Sequence, residues 1–311
     1  MIKALKNYLK KQIVSVLNQQ ADYKKISAIE KKIDRLSILL NDLYPDKIYL
    51  SGQIIDKINE FCLLNKITDL NVSISKNDLM FHYGLHNFRS ASEAILYYFN
   101  RGFKLTCVID NIIKKQSDNF KPIEILDFAS GHGTLTRFLI QKYPSNIITV
   151  SDIKKKAVDF QIKTFHVNGI VSSTDPNEFK PSKKYSIIIE SSLFSHLPEK
   201  KFIAWLNILY SLLDDKGLLL ISTNNIKYWR PELNSKDFLF ENISEDLIFN
   251  EFDDSISDTN EYGLTYISDN YMTNLLTNLG IDNKNYLKHD LAWEKQDLFV
   301  ISKNLVLDKK H

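Results

Sequence analysis

Gly131 and Gly133 flank His132 in the stretch "ILDFASGHGT", residues 125–134, directly after an apolar run that carries one acid. Glycine reaches left-handed backbone cheaply and leaves room for a ligand to lie against the main chain. The turn is therefore either a ligand cradle or a plain strand-to-helix turn. Asp152 ends the next apolar run, "IITVSD", nineteen positions after Gly133. An acid there is placed to grip a ribose hydroxyl pair, because one carboxylate accepts both protons. Together the glycines and Asp152 read as an adenosine-binding set. The third glycine of the dinucleotide fingerprint is replaced by Thr136, and no Lys-Ser or Lys-Thr pair follows as a P-loop requires. Asp127, before the turn, attracts an ammonium group and repels phosphate. The sign of that charge favours a nucleoside bearing an amino acid over one bearing a pyrophosphate.

His196 in "SSLFSHLPE", residues 191–199, follows another apolar run. An imidazole can take a proton from an attacking hydroxyl, so His196 is the candidate general base. It could equally cap a helix starting near Pro198 or touch a cofactor edge. His132, inside the glycine turn, is not a candidate catalyst. No His and acid spacing of metal-ligand type is present, and no metal is expected.

Such residues need a scaffold. "IEILDF" (123–128), "IITVSD" (147–152), "YSIIIESS" (185–192) and "GLLLISTN" (217–224) are continuous apolar runs separated by stretches of helical length. They read as parallel strands buried on both faces. The expected fold is α/β and doubly wound, with ligands at the carboxyl ends of the strands. Residues 1–44 read as a helical segment, whose stripe Ile29, Ile33, Leu36, Leu40, Leu43 suits either a coiled-coil homodimer or an internal packing face. Residues 45–118 read as a mostly helical region, with helices near 53–65, 90–99 and 103–115. Residues 119–311 form the ligand-binding domain. Within it, 225–267 is an insertion rich in aromatics: Tyr228, Trp229, Phe238, Phe240, Phe249 and Phe252. They either shape an acceptor site or form a satellite core. A helix at 269–279 and a last strand "DLFVISK" follow.

"ILDFASGHGTLTRFL" resembles the first motif of the class I S-adenosylmethionine-dependent methyltransferases: an aliphatic pair, Asp, any residue, then Gly-Cys-Gly-x-Gly. Ala129 and Ser130 stand where the family has its first glycine and its cysteine. The resemblance implies a Rossmann-like seven-stranded methyltransferase fold with a helical N-terminal extension, and S-adenosyl-L-methionine as the methyl donor. It places Asp127, Ala129, Ser130, Gly131 and Gly133 on the donor loop, and Asp152 with Ile153 at the ribose. Thr174 and Asp175, in "VSSTDPNEF", fall near the base, and Glu190 falls at the end of the fourth strand. It implies methyl transfer to a hydroxyl, with His196 beside the cleft. "SKNDLMFHYG", "YYFNRGF", "YGLTYISDNYMTNLL" and "LAWEKQDLFVISK" resemble segments of methyltransferases associated with bacterial glycan assembly, which points to a small-molecule or glycan acceptor.

Composition narrows the partners. Forty Lys and Arg against 38 Asp and Glu leave a net charge of +2, too even for a nucleic-acid partner. Cys62 and Cys107 form no disulfide framework, and no apolar run is long enough to span a bilayer, so a cytoplasmic protein is expected. Two rival readings share the fold: a nicotinamide-dependent oxidoreductase, and a non-catalytic scaffold that binds no donor.

Overall fold

The computed structural model describes residues 48, 50, 52–116, 123–242 and 262–307. The expected helix over 2–43, with its candidate dimer stripe, lies outside them, as do Phe249 and Phe252. Among the described residues no helix is long and apolar enough to cross a membrane.

Of the described residues, those up to Thr68 and Val72–Phe99 form one compact unit; Asp69–Asn71 and those from Asn100 onward form a second. In the first, helices α1 (Gly52–Leu64) and α2 (Leu79–Asn87) accompany the opening turns of α3 (Ala91–Lys115). Asp78 starts α2 by accepting the Met80 and Phe81 amides, which satisfies two donors that a helix start leaves unpaired. The Tyr98 hydroxyl donates to the other oxygen of Asp78 at 2.5 Å.

The second unit carries the sheet. Its strands are β1 (Ile125–Phe128), β2 (Ile148–Asp152), β3 (Asn168–Val171), β4 (Tyr185–Glu190), β5 (Leu213–Asn225), β6 (Phe238–Asn242), β7 (Gly263–Ile267), β8 (Tyr286–Trp293) and β9 (Gln296–Ser302). The main path runs β3-β2-β1-β4-β5-β9-β8, parallel through β5, with β9 antiparallel to both β5 and β8. This is the seven-stranded arrangement that the resemblance implies. At the carboxyl end of β5, Asn224 and Asn225 instead pair in parallel with Tyr266 and Ile267 of β7, which pairs antiparallel with β6. The β6–β7 ribbon thus extends the sheet on the side where ligands bind in such folds.

Period-two alternation explains why the central strands read as unbroken apolar runs. Ile187, Ile189, Leu218, Leu220, Leu298 and Val300 enter one buried cluster, with Leu105 and Ile109 of α3 and Val158 and Phe165 of α5 (Lys155–Phe165). Ile188, Leu219, Ile221, Phe299 and Ile301 enter the opposite cluster, with Phe202 and Trp205 of α6 (Glu199–Ser211) and Met272 and Leu276 of α8 (Asp269–Asn278). Both faces are covered by helices, so β1, β2, β4 and β9 bury every residue and β5 buries Gly217–Asn225. The short helices α4 (Thr136–Leu139) and α7 (Ile226–Trp229) follow β1 and β5.

One expectation changes. The helices expected at 90–99 and 103–115 are one continuous α3. Gly102, which lies between the two expected ranges, is where that helix approaches the turn before α4: a Cβ there would lie 2.0 Å from the Thr134 carbonyl. Phe238 packs against Phe202 and Tyr271 beside the second cluster, as a satellite-core residue. By contrast, Tyr228 and Trp229 are exposed by 45% and 37%.

Candidate functional site

The carboxyl edge of β1, β2 and β4 gathers three carboxyl groups. Phe128 is in register with Ser151 and with Glu190, so Glu190 stands at that level, with Asp127 one residue before it and Asp152 one residue beyond it at the ends of neighbouring strands. The connection from β1 to α4 places Ala129, Gly131 and Gly133 all at positive φ, +55°, +55° and +83°. L residues avoid this region, and the alternating pattern turns the chain back sharply. Ala129 therefore occupies a glycine-type backbone position.

The two glycines differ in what they make room for. A Cβ on Gly133 would meet the Phe165 ring at 2.5 Å and the Gln161 side chain at 2.9 Å, so its bareness serves packing against α5. Around a Cβ on Gly131 nothing lies within 4 Å. Of the two, Gly131 alone presents bare backbone to open space.

Asp152 organises that backbone. Its Oδ2 accepts the Gly131 amide and its Oδ1 the Lys154 amide, both at 2.9 Å. Each oxygen keeps a further lone pair. Burial raises its pKa; the two amides, Lys154 and His132 oppose that rise. Ile153 beside it and Val171, the register partner of Asp152 at the end of β3, are apolar yet 37% and 45% exposed.

Asp127 is fully buried. The Thr136 hydroxyl lies 2.7 Å from its Oδ2, while its Oδ1 has no hydrogen-bond partner. Burial pushes its pKa up to about 7; the Thr136 hydrogen bond opposes the rise, and the charge of Asp152 adds to it. Glu190 is likewise buried and raised to about 8, mainly by desolvation, with backbone amides opposing and Asp127 reinforcing. The Leu193 amide donates to its Oε1, and its Oε2 has no hydrogen-bond partner.

Gln161, on the buried side of α5, ties the loop together. Its Nε2 donates to Ser130 Oγ and to the Gly131 carbonyl, each at 2.8 Å, and its Oε1 lies 2.6 Å from Thr136 Oγ1. The Ser130 amide also donates to the Ser151 carbonyl, fixing the loop to β2.

Thr174 and Asp175 lie on the exposed connection after β3. Asp175 is engaged locally, accepting the Asn177 amide at 2.9 Å to start a short 3-10 turn at Pro176.

His196 belongs to a different set of contacts. Its Nδ1 lies 2.7 Å from the Gly263 carbonyl, its ring stacks on Tyr262 at 4.7 Å, and the Gly263 amide donates to its own carbonyl. A carbonyl only accepts, so Nδ1 carries the proton and the lone pair lies on Nε2. Burial lowers the imidazole to about 4; the Gly263 carbonyl opposes this shift and Arg101 adds to it. The loop from Ser192 to His196 is held from β9: Gln296 receives the Ser192 hydroxyl and donates to Ser195 Oγ and Asn224 Oδ1.

The sequence reading omitted Gln161 and Gln296. The signal for Gln161 was present, since it shares the buried stripe of α5 with Ala157, Val158, Thr164 and Phe165. A polar residue on such a stripe needs buried partners. Gln296 left no comparable signal, because its partners lie in β5 and the loop after β4.

The sequence pattern described as "Methyltransferase domain" matches residues 101–268, more than half of the chain. A sphingolipid C9-methyltransferase from Candida albicans is 30% identical over 142 residues, which is 42% of this chain and 26% of that protein. The chain thus matches about a quarter of that relative's length. Among solved structures, an S-adenosylmethionine-dependent methyltransferase from Clostridium acetobutylicum aligns with a TM-score of 0.45 at 13% identity, over 65% of this chain and 90% of that one. Magnesium protoporphyrin IX methyltransferase from Synechocystis, with bound S-adenosylhomocysteine, aligns at 0.42 and 18% identity, over 64% and 84%. The domain match spans the glycine turn, the three strand-end carboxyl groups and His196: the chain belongs to the class I S-adenosylmethionine-dependent methyltransferases.

Proposed function

We propose that the protein transfers a methyl group from S-adenosylmethionine to a hydroxyl of a small-molecule or glycan acceptor. The observation that carries this reading is the Gly131–Asp152 pair, in which bare backbone at positive φ lies beside a carboxylate that keeps lone pairs on both oxygens. The residues present fit the donor. Asp152 offers acceptors to a ribose diol, Ile153 and Val171 an apolar face to a base, and the unpartnered Oδ1 of Asp127 an acceptor to an ammonium group. Ala129, Ser130 and Gly133 shape the loop, Glu190 closes its β4 side, and Thr174 and Asp175 stand at the rim. Bound S-adenosylmethionine supplies a methyl group made electrophilic by a sulfonium.

Support for an oxygen acceptor comes from His196. Its tautomer presents the lone pair on Nε2, and stacking on Tyr262 restrains the ring. With a pKa of about 4 the imidazole is neutral at pH 7 and keeps its lone pair, but it is a weaker base than an ordinary imidazole; alignment of the reactants supplies most of the acceleration. The match to the sphingolipid C9-methyltransferase favours a second reading, in which the acceptor is a lipid carbon. We also propose that residues 1–44 mediate any homodimer.

The test is S-adenosylhomocysteine formation with saccharide acceptors, with sphingolipids in detergent micelles, and without acceptor. The proposal expects turnover with saccharides, falling by about a hundredfold or more in His196→Ala. Turnover with the lipid alone would transfer support to the carbon reading.

A further inference from the structure

The Thr136 hydroxyl sits between two oxygens. Asp127 Oδ2 is 2.7 Å away and Gln161 Oε1 2.6 Å away, yet a threonine hydroxyl has one proton to give. The Gln161 amide cannot be turned to resolve the conflict. Its Nε2 is 2.8 Å from the Gly131 carbonyl, and exchanging the two ends would set oxygen against oxygen there. Gln161 therefore keeps Oε1 towards Thr136 and takes the hydroxyl proton. The short contact between Thr136 and Asp127 then requires a proton from the carboxyl group.

We propose that Gln161 sets the charge of the donor loop: clamped by Ser130 and Gly131, it obliges Asp127 to be a neutral acid when no donor is bound, and the donor's ammonium group expels that proton. This inference rests on reading the loop as the donor site. The surroundings agree with it. Asp127, Thr136 and Gln161 are all fully buried, and a lone buried carboxylate is costly. The titratable groups around Asp127 are Asp152 on β2 and Glu190 on β4, both acidic; Lys154 and His132 act on Asp152, and the buried Arg137 of α4 gives its guanidinium to the Gly133 and Asn71 carbonyls. None of these neighbours supplies Asp127 with a cation. An ammonium beside the unpartnered Oδ1 would be its counter-ion, and Thr136 would then turn its proton from Gln161 to Asp127. Gln161 is in this sense a positioning residue, acting on the donor through Thr136 and Asp127.

The 311-residue protein is titrated at pH 6.0 with S-adenosylhomocysteine, which carries the ammonium, and with 5′-methylthioadenosine, which does not. Calorimetry in two buffers of different ionisation enthalpy gives the protons released. The wild type is expected to release close to one proton per S-adenosylhomocysteine and none with methylthioadenosine. Gln161→Met should still bind but release less than half as much, since Thr136 is then free to donate to an ionised Asp127. Weaker binding in Gln161→Met with an unchanged proton count would reduce Gln161 to a structural role and overturn the inference. Binding by the wild type without proton release would overturn it as well, leaving the donor reading intact. Absence of binding by the wild type would overturn the donor reading itself. Should Gln161→Met fail to fold, infrared difference spectra decide. S-adenosylhomocysteine binding must produce a loss of protonated-carboxyl absorbance in the wild-type difference spectrum that is missing from that of Asp127→Asn, the Glu190 band being common to both; a wild-type difference spectrum without that loss contradicts the inference.

Discussion

The Gly131 amide donates to Asp152 Oδ2 at 2.9 Å, joining two residues 21 positions apart and tying the loop after β1 to the end of β2. Because the Lys154 amide occupies the other oxygen, Asp152→Asn must set an amide N–H against one of these two donors. An unsatisfied buried donor costs about 1–3 kcal/mol. The variant should unfold at lower denaturant concentration than the wild type with an unchanged slope, measured by equilibrium urea unfolding.

Three substitutions separate the roles of the loop positions. Ala129→Gly relieves the positive φ of +55° and should stabilise the protein by up to about 1 kcal/mol, since left-handed backbone costs an L residue roughly 1–2 kcal/mol and glycine returns part of that in unfolded-state entropy. Gly133→Ala places a Cβ 2.5 Å from Phe165 and should destabilise without specific effect on ligand. Gly131→Ala meets no atom within 4 Å and should weaken S-adenosylhomocysteine binding by more than its effect on stability explains. Thermal melts with and without ligand distinguish the three patterns.

Gly102→Ala tests the approach of α3 to the donor loop. In an ordinary helix the change is favourable by about 1 kcal/mol. Here the Cβ would stand 2.0 Å from the Thr134 carbonyl and 2.9 Å from Phe138. The melting temperature should fall, opposite in sign to the propensity effect.

Stability should fall as the pH rises from 6.5 to about 8.5. Asp127 and Glu190 titrate near 7 and 8 in the folded protein, above their unfolded values, so the folded state holds protons that the unfolded state has lost. Their stabilisation is complete below about pH 4 and is lost as the pH passes through the folded values. His196, lowered to about 4, has the opposite slope between pH 4 and 6.5, which leaves the window above 6.5 to the carboxyl groups. Melting curves of Asp127→Asn and Glu190→Gln across that window should each be flatter than the wild type.

The sheet was legible because its central strands are buried on both faces: "IEILDF", "IITVSD", "YSIIIESS" and "GLLLISTN" contain β1, β2, β4 and the apolar part of β5. Four strands lack such a run: β3, β6 and β8 are at most partly buried over most of their length, and β7, though mostly buried, is a five-residue strand within the aromatic insertion, with Thr265 at its centre. Spacing located Asp152 beside the glycine turn, and the hydrogen bond to Gly131 joins them. Spacing could not separate Gly131 from Gly133, since the second glycine answers to Phe165, a residue on another element. Nor could it anticipate the arrangement around Thr136, noted only as a missing glycine. Its hydroxyl meets Asp127 and Gln161 through contacts that exist only once β1 and α5 are packed.

The donor site is tested most directly by calorimetric titration of S-adenosylhomocysteine into the wild type and into Asp152→Ala, with folding of both checked by circular dichroism. The account predicts saturable micromolar binding, about −8 kcal/mol, that collapses in the variant. No heat from either folded protein, or equal binding by both, would contradict it.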